Sequence, residues 1–257
     1  MIGSQMDMLP GEATTTGDGK NNLEVLPVSV LEIAPSGAKK RRGESNHDKQ
    51  SSRSGYSPFP YEVAETCAAL FLRDSTTVVD PFAGWGERGA ALARHGKRYI
   101  GFDTSEESIR HAAEVHGVQN TLADARAVNV PSHDGLVTCP PYWNLEKYGS
   151  SAGLDRHKTW EGFLADYGAI LRRFSEVASD DATYCIATGD WRSGGTYYDL
   201  TYQTEKIMDA LGWKPFDKVV ISRLGISKIK IMLPQAKRLG YTVKVHEMLS
   251  VFRRRNG

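Results

Sequence analysis

The chain has 257 residues, 40% of them hydrophobic, and a formal net charge of +1. That is enough for one sizeable α/β core, and no apolar run approaches the ~20 residues of a membrane-spanning helix. Three scattered cysteines, Cys67, Cys139 and Cys185, form no C-x-x-C pair, which argues for a reducing compartment and against a structural zinc. Cys67 and Cys185 read as small core residues. No secretion signal opens the chain, so a cytoplasmic location is expected. The near-neutral charge hides an asymmetry. From Lys214 onward there are eleven basic residues and two acids, Asp217 and Glu247, while the rest of the chain is acidic on balance. A basic C-terminal stretch on an acidic body suits a polyanionic partner.

Residues 1–55 are poor in aromatics and rich in small and polar types, and read as a flexible leader. Within it, Leu23 to Ile33 alternates as a short extended segment, and Lys39-Lys40-Arg41-Arg42 is a basic cluster. Residues 56–257 form the expected folded domain. Ser57-Pro58-Phe59-Pro60-Tyr61 opens it, with Pro60 suited to start a helix over Tyr61–Leu72. Val63, Cys67, Leu70 and Phe71 share one face of that helix.

Val78 and Val79 continue an apolar strand into D-P-F-A-G-W-G, residues 80–86. Gly84 and Gly86 allow a tight turn with close backbone approach to a ligand. A helix follows, Gly96 is placed to end it, and Tyr99–Phe102 is the next strand, with Asp103 at its carboxyl end. In an open α/β sheet that edge is where ligands bind, and an acid there can hold ribose hydroxyls. Ser105 caps the following helix. Gln119–Ala123 is a third strand ending at Asp124. Gly135–Thr138 is a fourth, running into T-C-P-P-Y-W, residues 138–143. Consecutive prolines force the chain out of the sheet and stiffen the loop. Trp160, Phe163, Leu164, Tyr167, Ile170, Leu171, Phe174 and Val177 make a long amphipathic helix whose aromatics are core. Ala182–Thr188 is a fifth strand, Gly189–Gly195 a flexible loop, Thr201–Leu211 a helix, and Lys218–Arg223 and Val243–Phe252 the last two strands. The expected architecture is a Rossmann-like sheet of seven strands, mostly parallel with an antiparallel edge, and helices on both faces. Leu224–Tyr241, between the last two strands, is too long for a simple hairpin connection and is basic, and is expected near the polyanionic partner.

The pair D-P-F-A-G-W-G and T-C-P-P-Y-W resembles the cofactor and catalytic motifs of the DNA amino-methyltransferases, which modify adenine N6 or cytosine N4. It is similar above all to the branch, common in phages and mobile elements, whose S-P-P-Y or C-P-P-Y loop precedes an N-L-E-x-Y-like run. Here that run is Asn144-Leu145-Glu146-Lys147-Tyr148. The resemblance covers roughly residues 56–254. It implies a class I methyltransferase fold, S-adenosyl-L-methionine as cofactor, DNA as partner, and no metal or membrane. It assigns Asp80, Phe82, Gly84, Gly86, Asp103 and Asp124 to the cofactor, and Cys139, Pro140, Pro141 and Tyr142 to catalysis. Ser57 and Phe59 match the cofactor wall loosely. Tyr142 would stack on a flipped base, Trp143 would plug the core beside the loop, and Asp190 and Trp191 could line the substrate groove.

Cys139 departs from the Asp, Asn or Ser usual in that family, and a thiol accepts hydrogen bonds weakly. Three alternatives stay open at this point: an RNA acceptor, pyrimidine-C5 methylation with Cys139 as nucleophile, and a catalytically inactive DNA-binding module.

Overall fold

The computed structural model describes residues 25, 27–33, 59–144, 153–223 and 228–254. The Lys39–Arg42 cluster, Ser57 and the run Leu145–Tyr148 lie outside the described residues.

Among the described residues ten strands and six α-helices follow one another: β1 Val30–Glu32, α1 Tyr61–Thr66, β2 Thr77–Asp80, α2 Glu87–Arg94, β3 Arg98–Asp103, α3 Glu106–His116, β4 Thr121–Leu122, β5 His133–Thr138, α4 Trp160–Glu176, β6 Ala178–Thr188, β7 Trp191–Ser193, β8 Thr196–Tyr198, α5 Leu200–Ala210, β9 Trp213–Ser222, α6 Lys228–Leu239 and β10 His246–Arg254. Eight strands form one sheet in the order β1-β9-β10-β6-β5-β2-β3-β4. Strands β4, β3, β2, β5 and β6 are mutually parallel, and β10 runs antiparallel to β6 on one side and β9 on the other.

The sheet has eight strands where seven were expected. The added one is β1, which pairs parallel with β9 through Val30, Leu31 and Glu32 against Val220, Ile221 and Ser222. Its alternation reads as extended in sequence, but its partner β9 is distant in the chain, so nothing local shows that it joins the sheet. As a result β9, which would otherwise be the edge, is covered on both sides, while β10 lies between β9 and β6.

Alternation along the central strands builds a core on each face. Val79, Leu136, Tyr184 and Ile186 pack with Phe163, Tyr167, Ile170, Leu171 and Phe174 of α4. Val78, Val137, Cys185 and Ala187 pack with Val63 and Cys67 on the other face, alongside Leu249 and Val251. Both cysteines are buried and free. Side chains fix the starts of α4 and α3: the Thr159 hydroxyl accepts from the Gly162 amide at 3.1 Å, and the Ser105 hydroxyl from the Ser108 amide at 3.2 Å. After Thr66, α1 continues as a π-helical turn over Cys67–Phe71.

The Gly189–Gly195 loop and the basic Leu224–Tyr241 connection both include regular structure. Trp191–Ser193 and Thr196–Tyr198 pair as an antiparallel hairpin about Gly194-Gly195, both at positive φ. A Gly-Gly pair is what a two-residue hairpin turn requires. Between β9 and β10, the basic connection contains α6. Among the described residues no helix is long and apolar enough to cross a membrane.

Candidate active site

Strand β2 delivers Asp80 to the carboxyl edge of the sheet, and the chain then turns through Pro81–Gly86 into α2. Asp80 is 0% exposed. It accepts four hydrogen bonds: from the Phe82 amide (3.0 Å), Arg88 Nε (2.6 Å), the Tyr99 hydroxyl (3.0 Å) and the Thr138 hydroxyl (2.6 Å). Arg88 is itself buried and also donates to the Phe82 carbonyl. Burial, reinforced by the Asp80 charge, pushes the Tyr99 phenol well above its ordinary pKa, so it stays a donor. Asp80 thus sits beneath the glycine turn rather than on an open surface. Because Thr138 is the last residue of β5, this one carboxylate ties the glycine turn to the base of the proline loop.

Above that floor the backbone closes tightly. Gly86 has φ +100°, and a Cβ there would lie 2.8 Å from the Ala112 Cβ, so neither the conformation nor the space admits a side chain. Gly84, at φ +56°, donates its amide to Asp103 Oδ2 at 2.8 Å, and the Ser105 amide donates to Oδ1 at 2.8 Å. Each Asp103 oxygen therefore spends one lone pair on backbone and keeps another. Burial raises the Asp103 carboxyl above its ordinary value, against the two amides that lower it.

Pro140, Pro141, Cys139 and Tyr142 line the same cleft as Phe82, Gly84, Asp103 and Asp124. The glycine turn and the proline loop, 56 residues apart between Gly84 and Pro140 in the chain, thus open onto one crevice, because β2 and β5 are adjacent and parallel. Asp80 and Gly86 lie outside its lining and shape it from below. Phe59 also faces the cleft, with the Arg88 guanidinium over its ring. Asp124 is engaged by a shared arginine: Arg126 donates to both of its oxygens and also to Asp166. Burial of Asp124 works upward, but the Arg126 hydrogen bonds prevail and hold its carboxyl below the ordinary range.

At the far wall the Tyr142 hydroxyl lies 3.8 Å from Cys139 Sγ. Burial, then the neighbouring Cys139 and Glu247, push this phenol well above its ordinary pKa. Its ring lies 5.7 Å from that of Trp191. A Cβ on Gly189 would come within 3.2 Å of the Tyr142 hydroxyl, so glycine leaves room for that ring. Trp143 is buried, donates to the His157 carbonyl at 2.7 Å and packs edge-on to Tyr198. It is a plug beside the loop rather than a cleft surface.

The sequence reading missed Arg88, Asp155, Arg223 and Glu247, all of which line the cleft. Arg223 and Glu247 pair at 2.8 Å across the β9–β10 strands. Their 24-residue separation leaves no periodic trace, and only the antiparallel register brings them together. Among the described residues no cluster of three or more His, Cys, Asp or Glu could hold a metal ion.

Residues 20–114 match the DNA methylase family N6_N4_Mtase, a stretch that includes the glycine turn and Asp103. The type II methyltransferase M.SmaI of Serratia marcescens is 26% identical over 109 residues, which span 40% of this chain and 37% of that enzyme. Among solved structures, TrmN from Thermus thermophilus superposes with a TM-score of 0.50 at 17% identity, covering 80% of this chain and 51% of that one. An O-methyltransferase from a trans-AT PKS multienzyme of Brevibacillus brevis, solved with S-adenosyl-L-homocysteine, gives 0.50 at 8% identity, covering 76% and 71%. The chain thus spans well under half of the Serratia enzyme and about half of TrmN. Its fold is that of the class I methyltransferases, and its resemblance, carried by the matched stretch and by the two motifs that share one cleft, is to the DNA amino-methyltransferases.

Proposed function

We propose that the chain transfers a methyl group from S-adenosyl-L-methionine to an exocyclic amine of a DNA base, adenine N6 or cytosine N4, in the cytoplasm and without a metal. The observation that carries this reading is the shared cleft, with the glycine turn and Asp103 at one end and Cys139–Tyr142 at the other. The residues fit the cofactor. Asp103 is oriented by two backbone amides with lone pairs to spare, as ribose hydroxyls need. Gly84 leaves its position open, since the nearest atoms to a Cβ there are 3.8 Å away. Phe82 and Asp124 offer a ring face and a carboxylate on the same lining.

When bound, the cofactor supplies an electrophilic methyl group on a sulfonium. The chain's own part is to hold the amine. That nitrogen is a poor nucleophile, because its lone pair is delocalised into the ring, and alignment supplies about 7–11 kcal/mol in favourable cases. The Pro140 carbonyl accepts an amine hydrogen and concentrates electron density on nitrogen. Cys139 adds a weak acceptor. Tyr142, kept neutral by burial, offers a ring on which an extruded base can stack. Asp80 holds the two loops in register through Phe82 and Thr138, so that acceptor and cofactor face one another.

The test is incorporation of label from tritiated S-adenosyl-L-methionine into duplex DNA. Label in DNA and not in RNA is the expected result. Label in RNA alone, or in neither, would overturn the proposed substrate.

A further inference from the structure

Behind Tyr142 lies a second pocket, separated from the cleft by Tyr142, Arg223 and Glu247, which line both. Its other walls come from the β7–β8 hairpin and from the segment leading into β10, through Trp191, Arg192, Tyr241 and Lys244. None of these four takes part in the chemistry described above.

Among the described residues the pocket holds two buried N–H donors without acceptors and two cations without a carboxylate partner. Trp191 is 6% exposed and its indole N–H has no hydrogen-bond acceptor among the described residues; Arg223 Nε, also buried, has none either. Such groups are uncommon in folded proteins and mark places where a ligand or water completes the bonding. The local acids are already engaged. Asp190 accepts from the Tyr197 hydroxyl at 2.8 Å and the Thr201 amide at 3.0 Å, and Glu247 accepts from Arg223. Arg192 and Lys244 are exposed and form no ion pair among the described residues. They rest instead on aromatic faces. Arg192 Cζ is 5.2 Å from the Tyr197 centroid and 5.4 Å from that of Tyr241, and Lys244 Nζ is 4.8 Å from Tyr197. The ligand that answers this set is anionic, carries hydrogen-bond acceptors and has a flat face. A nucleotide has all three: cations take its phosphate, buried N–H groups take base or phosphate oxygens, and a tyrosine ring takes the base.

We propose that this pocket holds the nucleotide next to the target base in the DNA strand, with its phosphate at Arg192 and Lys244 and its base against Tyr241 and the Trp191 N–H. The proposal rests on the DNA reading above. It adds that the strand is gripped on the hairpin side of Tyr142, one residue's thickness from the cleft, so that the β7–β8 hairpin contributes to sequence preference.

The experiment is a salt series of duplex-oligonucleotide binding by fluorescence anisotropy, with thermal unfolding as the check on folding. Each phosphate contact contributes about 0.9 to the slope of log affinity against log salt. Arg192→Ala with Lys244→Ala should flatten the slope by roughly two such contacts. Trp191→Phe keeps an aromatic ring, smaller than the indole, and loses the N–H; it should weaken binding about fivefold at every salt concentration, the effect of one ordinary hydrogen bond. Arg73→Ala with Arg172→Ala removes the same charge from exposed positions at the amino end of the strands and should leave the slope unchanged. A wild-type slope in the Arg192/Lys244 pair, or an equal loss in the control pair, overturns the pocket. Methyl transfer is read separately. A flattened slope with no transfer by the wild type upholds the pocket and sinks the proposed activity; transfer with an unflattened slope does the reverse.

Discussion

Asp80 and Asp103 end neighbouring parallel strands at the same edge of the sheet, and in sequence both look like ligand-binding acids. Their surroundings divide them. Asp80 is wholly buried and meets four donors, one of them a buried guanidinium. Asp103 meets two backbone amides and faces the cleft. A carboxylate saturated by the protein holds the architecture, and one left partly unsatisfied is available to a ligand. Position at the strand end does not separate these roles; the count of donors already engaged does.

The contrast can be broken by substitution. Asp80→Ala strands the Arg88 guanidinium, which is 4% exposed, and removing one partner of a buried pair typically destabilises by about 3–5 kcal/mol. Urea unfolding should register a loss of that size. Asp103→Ala should do the opposite in kind. Hydrogen bonds to a charged group are worth about 1.5–3 kcal/mol, so calorimetry should find S-adenosyl-L-homocysteine affinity reduced roughly ten- to a hundredfold, with a smaller loss of stability than Asp80→Ala. If the two substitutions exchanged these phenotypes, the division between floor and rim would be wrong.

Acidity sharpens the same contrast. Burial raises the Asp103 carboxyl above 3.8 in the folded chain, so the folded state holds that proton more tightly than the unfolded state does. Stability contributed by this group is therefore fully present below the unfolded pKa and is lost as pH rises through the folded value. On the proposed reading, in which the ionised Asp103 holds the cofactor, affinity should move the other way and weaken on acidification, beginning above pH 3.8. Calorimetric titrations across the acid range should detect this in the wild type and not in Asp103→Ala. The smallest expected effect is at Cys139. Its thiol is a weak acceptor 3.8 Å from the Tyr142 hydroxyl, so Cys139→Ser should keep methyl transfer within about a factor of a few. Near-total loss would favour covalent attack on a pyrimidine.

Much of the crevice was legible because its parts are local. Two glycines, two prolines and an acid at a strand end announce themselves over a few residues, and parallel pairing of β2 with β5 brings them together. What escaped notice is held by pairing distant in the chain. Segment β1 is a strand only because residues 220–222 accept it. The Arg88 anchor under Asp80 and the Arg223–Glu247 wall come from helix rotation and antiparallel register, neither of which leaves a short-range pattern. The β7–β8 hairpin had a local signal, Gly194-Gly195 between aromatic residues, but glycines in tandem suit a loose loop equally well until their pairing is known.

Nucleoside mass spectrometry of DNA incubated with the chain and S-adenosyl-L-methionine tests the assignment of the proline loop most directly. N6-methyladenine or N4-methylcytosine is the expected product, absent when Asp103 is replaced by alanine at low cofactor concentration. 5-Methylcytosine as the product, or no methylated base from a folded chain that binds the cofactor, would contradict it.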